Sequence, residues 1–167
     1  IILTETGAVK PRHTGCSELY AKDPEGTLLH DMLFAPFFSG AAGPGHVWWW
    51  RQAIEQPNLW HHFARFARTV EGLDPPAEAF KPVTIAWCRD AQNDWRTELL
   101  EGRKPETLTD VRIDLSSSRI PAGASVQLYD PWTDAPSTAM VRDGAVTIPS
   151  LRRSTVLRIG STMPSTR

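Results

Sequence analysis

The sequence predicts a chain in which two β/α units are followed by an all-β region. In the first 76 residues, short apolar runs alternate with segments of helical periodicity. Beyond about residue 81, short β-branched runs alternate with turns rich in Pro and Gly. The composition changes at Asp74-Pro75-Pro76, so we expect a domain boundary between about Leu73 and Lys81.

The first part contains two apolar runs, each followed by a helical pattern. Ile1-Ile2-Leu3 is typical of a strand buried on both faces, and Thr27 to Phe38 is predicted to form a buried helix. The Gly-rich segment Ser39 to Gly45 interrupts the pattern, and His46-Val47-Trp48-Trp49-Trp50 is predicted to form a second strand. An amphipathic helix is expected from about Asn58 to Glu71. This order favours parallel strands joined by helical crossovers.

The second part is predicted to be antiparallel. The Asp143-Gly144 pair between alternating runs is a hairpin signal. The segment Asn93 to Glu101 is compatible with a strand or a short helix, and residues 163–167 are expected to form a flexible tail. The predicted strands are Val83 to Trp87, Val111 to Leu115, Ser125 to Tyr129, Ala145 to Ile148 and Thr155 to Ile159.

Composition restricts the classes of partner and cofactor. The net charge of −1 lacks the basic excess typical of nucleic-acid binding. No apolar run approaches the roughly 18 residues of a membrane helix. Cys16 and Cys88 match no metal or redox spacing, so we expect free thiols, no metal and no other cofactor. Seven Trp residues are present, and Trp rings serve as core filling or as binding platforms.

An ordered series of motifs resembles the clan A glycoside hydrolases, the (β/α)8-barrel relatives of cellulases, mannanases and β-glycosidases. The series comprises Leu3-Thr4-Glu5-Thr6-Gly7-Ala8, the stretch Phe34 to Trp50, the helix start Asn58 to Phe63, and Trp87 through Trp132. The resemblance implies that residues 1–76 are the last two β/α units of a TIM-type barrel. It also implies that residues 81–162 form a small antiparallel β-sandwich behind the barrel. Because such a barrel needs eight units and the chain does not begin with Met, we expect the missing strands upstream.

The same resemblance assigns a catalytic and a sugar-binding role. Glu5 matches the nucleophile at the end of strand seven of the clan, and Trp48 or Trp50 matches the sugar platform after strand eight. His46 and Lys10 are candidates for hydrogen bonds to the substrate. Retaining cleavage needs a second carboxyl about 5 Å from the nucleophile. The resemblance places that acid/base upstream, so the fragment alone is expected to be inactive on a poly- or oligosaccharide.

Plainer interpretations remain beside these assignments. A Glu after an apolar run is commonly a solvated strand end, and the Trp residues and His46 could be packing residues. His13 and Cys16 are close enough in sequence for a nucleophilic pair, but no third group supports it. Two other functions stay open, a non-catalytic carbohydrate-binding module and a fragment that assembles through open barrel edges, as a homo-oligomer. The sequence favours neither a cytoplasmic nor a secreted location.

Overall fold

The computed structural model describes residues 6–73 and 83–160, and its internal contacts divide the chain into two units. The first unit comprises residues 6–66 and 92–104, and the second comprises 67–73, 83–91 and 105–160. The predicted strand Ile1-Ile2-Leu3, Glu5, the Asp74-Pro75-Pro76 boundary and the tail 163–167 lie outside the described residues.

The first unit is organised around helix α1 (Thr27–Phe38), which has the bounds predicted from the sequence. Asp23 lies before the helix and accepts hydrogen bonds from the N–H groups of Thr27 and Leu28, both at 2.8 Å. These two donors belong to the first helical turn, where no intrahelical carbonyl is available. The buried side chains of Leu29, Leu33 and Phe34 anchor the helix in the core of the unit.

Helix α2 (His61–Val70) is shorter than the predicted range of Asn58 to Glu71. Asn58 adopts a left-handed φ of 57°, which ends any helical continuation toward the N-terminus. The α2 residue Phe66 packs edge-to-face on Phe34, with ring centroids 5.3 Å apart. The division between the two units falls within α2, after Phe66.

The predicted pair of β/α units is wrong, and with it the last part of a TIM-type barrel. The segment 46–50 is not a strand, because only Val47 forms a bridge, which is parallel and pairs with Thr6. Trp50 already has helical dihedral angles, and a π-helical turn follows at Arg51–Glu55. A parallel ladder is stable when it is buried on both faces of a larger sheet. The described residues contain only antiparallel sheets.

The second unit contains two antiparallel sheets. One sheet has the strand order β1-β6-β3-β4, and the other pairs β2 with β5. Leu157 lies at the centre of the larger sheet, paired with Ala86 on one side and Leu128 on the other. The strands are β1 (Thr84–Arg89), β2 (Thr107–Asp114), β3 (Ser125–Asp130), β4 (Ala135–Met140), β5 (Ala145–Arg152) and β6 (Ser154–Ile159).

The turn before β5 is the predicted Asp143-Gly144 turn, where both residues have positive φ, 48° and 67°. Two positive φ angles are typical of a tight type I′ turn. The ambiguous segment 93–101 contains a π-helical turn at Arg96–Leu100, in the first unit.

Both sheets of the second unit contribute to one hydrophobic core. Its buried residues are Val126, Leu128, Val141, Val146, Ile148, Leu151, Leu157 and Ile159.

We predict that Asp23→Ala lowers the free energy of unfolding by about 1–2 kcal/mol, because two helix N–H groups lose their acceptor. Chemical denaturation measures this change. Glu18→Ala is the control, since Glu18 forms an exposed ion pair with Lys10 and its loss is expected to change stability by less than about 1 kcal/mol.

The same variant has a defined pH dependence. Burial raises the pKa of the Asp23 carboxyl above its usual value of 3.8, against the effect of its bonds from Leu28 and Thr27. Because the folded state holds this proton more tightly, the contribution of Asp23 is complete below 3.8 and is lost as pH rises through the folded pKa. The stability difference between wild type and Asp23→Ala is therefore expected to shrink from acidic to neutral pH. Growth of that difference would contradict the proposed burial effect.

Candidate functional site

A close approach of two chain segments precedes the tryptophan run. The N–H of Thr6 donates to the carbonyl oxygen of His46 at 2.6 Å, and Thr6 bridges Val47 in parallel. One residue earlier, the N–H of Gly45 donates to the carbonyl oxygen of Met32 in α1, at 3.0 Å. The start of the segment 46–52 is therefore held by backbone hydrogen bonds on both sides.

Gly45 makes this approach possible. A Cβ atom at residue 45 would lie 2.6 Å from Thr6 Oγ1 and 3.1 Å from the carbonyl oxygen of Met32. The first distance is shorter than any normal van der Waals contact, so a side chain here would push the Thr6 segment away from His46. The absence of a side chain at Gly45 is what lets Thr6 reach the carbonyl of His46.

Trp48 and Trp50 present their indole rings to solvent, with 62% and 55% of their surfaces exposed. Trp49 is half-buried, and its indole nitrogen is buried without a hydrogen-bond partner among the residues described. The side chains of Ala53 and Ile54, in the turn that follows, are buried in the core. The N–H of Ala53 also donates to the carbonyl oxygen of Trp49 at 2.9 Å. The buried side chains thus leave the rings of Trp48 and Trp50 outside the core.

Two adjacent cavities open along these rings. The first has a volume of about 570 Å³ and is lined by residues 46–52. The second, of about 330 Å³, is lined by Thr6, Gly7, Val9, His13, Trp48 and Trp49. Both cavities share Trp48 and Trp49, so we call the surface formed by Trp48, Trp49 and Trp50 the tryptophan surface.

The structure brings three of the predicted site residues together. His46, Trp48 and Trp50 all line the first cavity. Lys10 lines neither cavity and forms an exposed ion pair with Glu18 at 3.3 Å. Glu5 lies outside the described residues, but Thr6, which follows it in the chain, is hydrogen-bonded to His46.

Several cavity residues were not predicted from the sequence as site residues. Arg51 and Gln52 line the first cavity, and His13 lines the second. Arg51 and Gln52 directly follow the tryptophan run, and this proximity is the sequence signal that would have indicated them. The sequence suggests His13 only as a partner of Cys16, and no sequence signal connects it with residues 46–52.

The electrostatics do not favour a cysteine nucleophile. Burial raises the pKa of the Cys16 thiol, and the charge of Lys10 only partly opposes this effect. A raised pKa reduces the fraction of reactive thiolate at neutral pH. The raised pKa therefore does not favour Cys16 as a nucleophile.

Two further observations concern metals and membranes. Within the described ranges, no group of three or more His, Cys, Asp or Glu residues is placed to hold a metal ion. No helix of residues 6–73 or 83–160 has the length and apolar character needed to cross a membrane.

In comparisons with known proteins, the chain matches no family model, no curated protein and no solved structure.

We predict that Gly45→Ala lowers the stability of the protein by about 1–3 kcal/mol, the usual range for overpacking a tight contact. The near-ultraviolet circular dichroism of the tryptophans should change with it, because the Thr6–His46 contact is disturbed. Gly43→Ala is the matched control, since a Cβ at Gly43 meets nothing within 4 Å. Equal stability of the two variants would show that the close approach at Gly45 does not contribute to the stability of the protein.

Proposed function

We propose that this chain carries part of the substrate site of a retaining glycoside hydrolase, in which the tryptophan surface binds sugar. The observation that supports this most strongly is the exposure of Trp48 and Trp50 beside the first cavity. Exposed apolar rings rimmed by polar groups are typical of binding sites. A sugar ring presents an apolar C–H face that suits an indole, and its hydroxyl groups suit polar side chains at the rim.

The polar side chains of the first cavity fit this role. His46 and Gln52 both line it, and each side chain offers hydrogen-bond donors and acceptors. Sugar hydroxyls act both as donors and as acceptors, so such side chains match them without requiring a charge. The tryptophan rings would supply most of the contact area, and His46 and Gln52 would orient the ring.

The hydrolytic part of the proposal concerns Glu5. In a retaining mechanism, its carboxylate attacks the anomeric carbon while an acid protonates the departing oxygen, and a glycosyl ester forms. Water activated by the same acid, now a base, then attacks the anomeric carbon and releases Glu5. The proposal requires a second carboxyl about 5 Å from Glu5 as this acid/base. The backbone bond from Thr6 to His46 supports the proposal, because it fixes the residue next to Glu5 beside the tryptophan surface.

Two alternatives differ in their requirements. A non-catalytic carbohydrate-binding module would use the same tryptophan surface without any carboxylate pair, and the exposed rings favour it equally. Assembly through open barrel edges loses its premise, because the barrel units are not present among the described strands. Self-association in another form stays a prediction.

We predict that Trp48→Ala and Trp50→Ala each weaken oligosaccharide binding by about tenfold or more, since buried aromatic anchors dominate binding energies. Isothermal titration with gluco-, manno- and uronate oligosaccharides measures the change. Trp60→Ala is the matched control, because Trp60 is 52% exposed in the same unit but lines neither cavity. Equal losses for all three variants would contradict a specific role of the tryptophan surface.

We predict that, in a polypeptide that contains this sequence and turns over aryl glycosides, Glu5→Gln lowers that turnover by about a thousandfold or more. Glu18→Gln is the control, because Glu18 is an exposed carboxylate in an ion pair with Lys10. Undiminished turnover in Glu5→Gln would exclude Glu5 as the nucleophile. Sugar binding without turnover in the wild type would favour the non-catalytic module.

A further inference from the structure

Arg51 is the charged residue of the first cavity. It directly follows Trp50, opens the π-helical turn Arg51–Glu55 and lines the cavity together with Trp48 and Trp50. Its side chain is exposed, and it has no ion pair, side-chain hydrogen bond or ring contact with another described residue. Arg51 therefore adds a guanidinium to the cavity that the described part of the fold does not use.

Four other arginines of the described chain have structural partners. Arg68 forms an ion pair with Asp134, and Arg103 forms one with Glu101. Arg153 lies over the ring of Trp132, 4.4 Å from its centroid. Arg158 donates to the carbonyl oxygen of Glu71 at 2.8 Å. These contacts account for those four arginines, whereas Arg51 has no such partner among the described residues and lines the first cavity.

The walls of the two cavities carry no opposing charge among the described residues. No Asp or Glu lines either of them, and the other titratable groups are the imidazoles of His46 and His13. Glu55 lies one helical turn after Arg51 but is not a lining residue. The first cavity thus combines two exposed indole rings with one cation, which suits a ligand that has an apolar face and an anionic substituent.

We propose that the sugar bound at the tryptophan surface is a uronic acid residue, whose carboxylate pairs with Arg51. This inference rests on the proposed carbohydrate binding and names its substrate class. A uronate has an apolar C–H face for Trp48 or Trp50 and a carboxylate at the edge of the ring. The planar guanidinium of arginine binds a carboxylate through two parallel hydrogen bonds. A neutral hexose offers hydroxyl acceptors to the guanidinium of Arg51 but no opposite charge and no bidentate partner.

The test compares oligogalacturonate with its neutral methyl ester, which has the same rings and linkage without the charge. Oligoglucuronate and oligomannuronate, each with its methyl ester, extend the panel to the other common uronates. Binding to the chain is measured by isothermal titration in low salt. At least one free acid is expected to bind about tenfold or more tightly than its ester, and the preference should fall with added salt.

Three variants assign the preference to Arg51. Arg51→Gln should reduce binding of the acid to the level of the ester while leaving ester binding within about twofold. Arg51→Lys keeps the charge and should retain part of the preference, since lysine lacks the bidentate geometry. Lys22→Gln is the control, because it removes an exposed cation of the same unit that lines neither cavity. Thermal unfolding checks that Arg51→Gln is folded.

The possible outcomes separate this inference from the one on which it rests. Equal binding of acids and esters, still dependent on Trp48, would overturn the uronate assignment and leave carbohydrate binding intact. A preference for a sulfated oligosaccharide over every uronate would overturn it in favour of a sulfate ester. Loss of acid and ester binding together in Arg51→Gln would also overturn it. Failure of the wild type to bind any sugar would overturn both proposals.

Discussion

The tryptophan surface depends on the absence of a side chain at Gly45. Because Gly45 has no Cβ, Thr6 reaches the carbonyl oxygen of His46, and the Gly45 N–H reaches the Met32 carbonyl in helix α1. The helix is in turn held at its start by the carboxylate of Asp23. A series of backbone and capping hydrogen bonds therefore connects the core of the first unit to the residue where the exposed rings begin.

Because the rings of Trp48 and Trp50 are exposed, they add little to the stability of the fold. A buried indole is among the largest sources of hydrophobic stabilisation, and these two rings forgo most of it. The second unit shows the opposite arrangement, in which Tyr129 is fully buried and donates through its hydroxyl to Asp134, the ion-pair partner of Arg68. Departures from optimal packing concentrate where a protein binds or reacts. Trp60 is exposed to a similar extent, 52%, but lines neither cavity, so the cavity beside Trp48 and Trp50 is what favours a binding role for these two rings.

Local signals predicted some elements well and misled for others. Helix α1 and the turn at Asp143-Gly144 follow directly from periodicity and turn chemistry. The run of three tryptophans has the β propensity of a strand, but it does not form one. Tertiary contacts override this propensity, because the side chains of Ala53 and Ile54 in the following turn are buried. Strand β4 was missed because Pro136 is atypical of a strand, and it is tolerated there since β4 is an edge strand paired only with β3. In the site, the aromatic residues were recognisable by type, whereas the sequence signal for Arg51 is only its position directly after Trp50, and the cavity that it lines shows its place in the site.

The two proposals are connected by charge. The loss of the barrel assignment removes the fold-based argument for Glu5 and leaves a local one, the backbone bond that fixes its neighbour Thr6 against His46. In the proposed mechanism, Glu5 must be ionised to act as a nucleophile, and the proposed uronate would bring a second negative charge to the reaction. Two like charges about 6 Å apart repel by roughly 3 kcal/mol at an effective dielectric constant of about 20. If both proposals hold, the guanidinium of Arg51 beside the tryptophan surface would offset that repulsion.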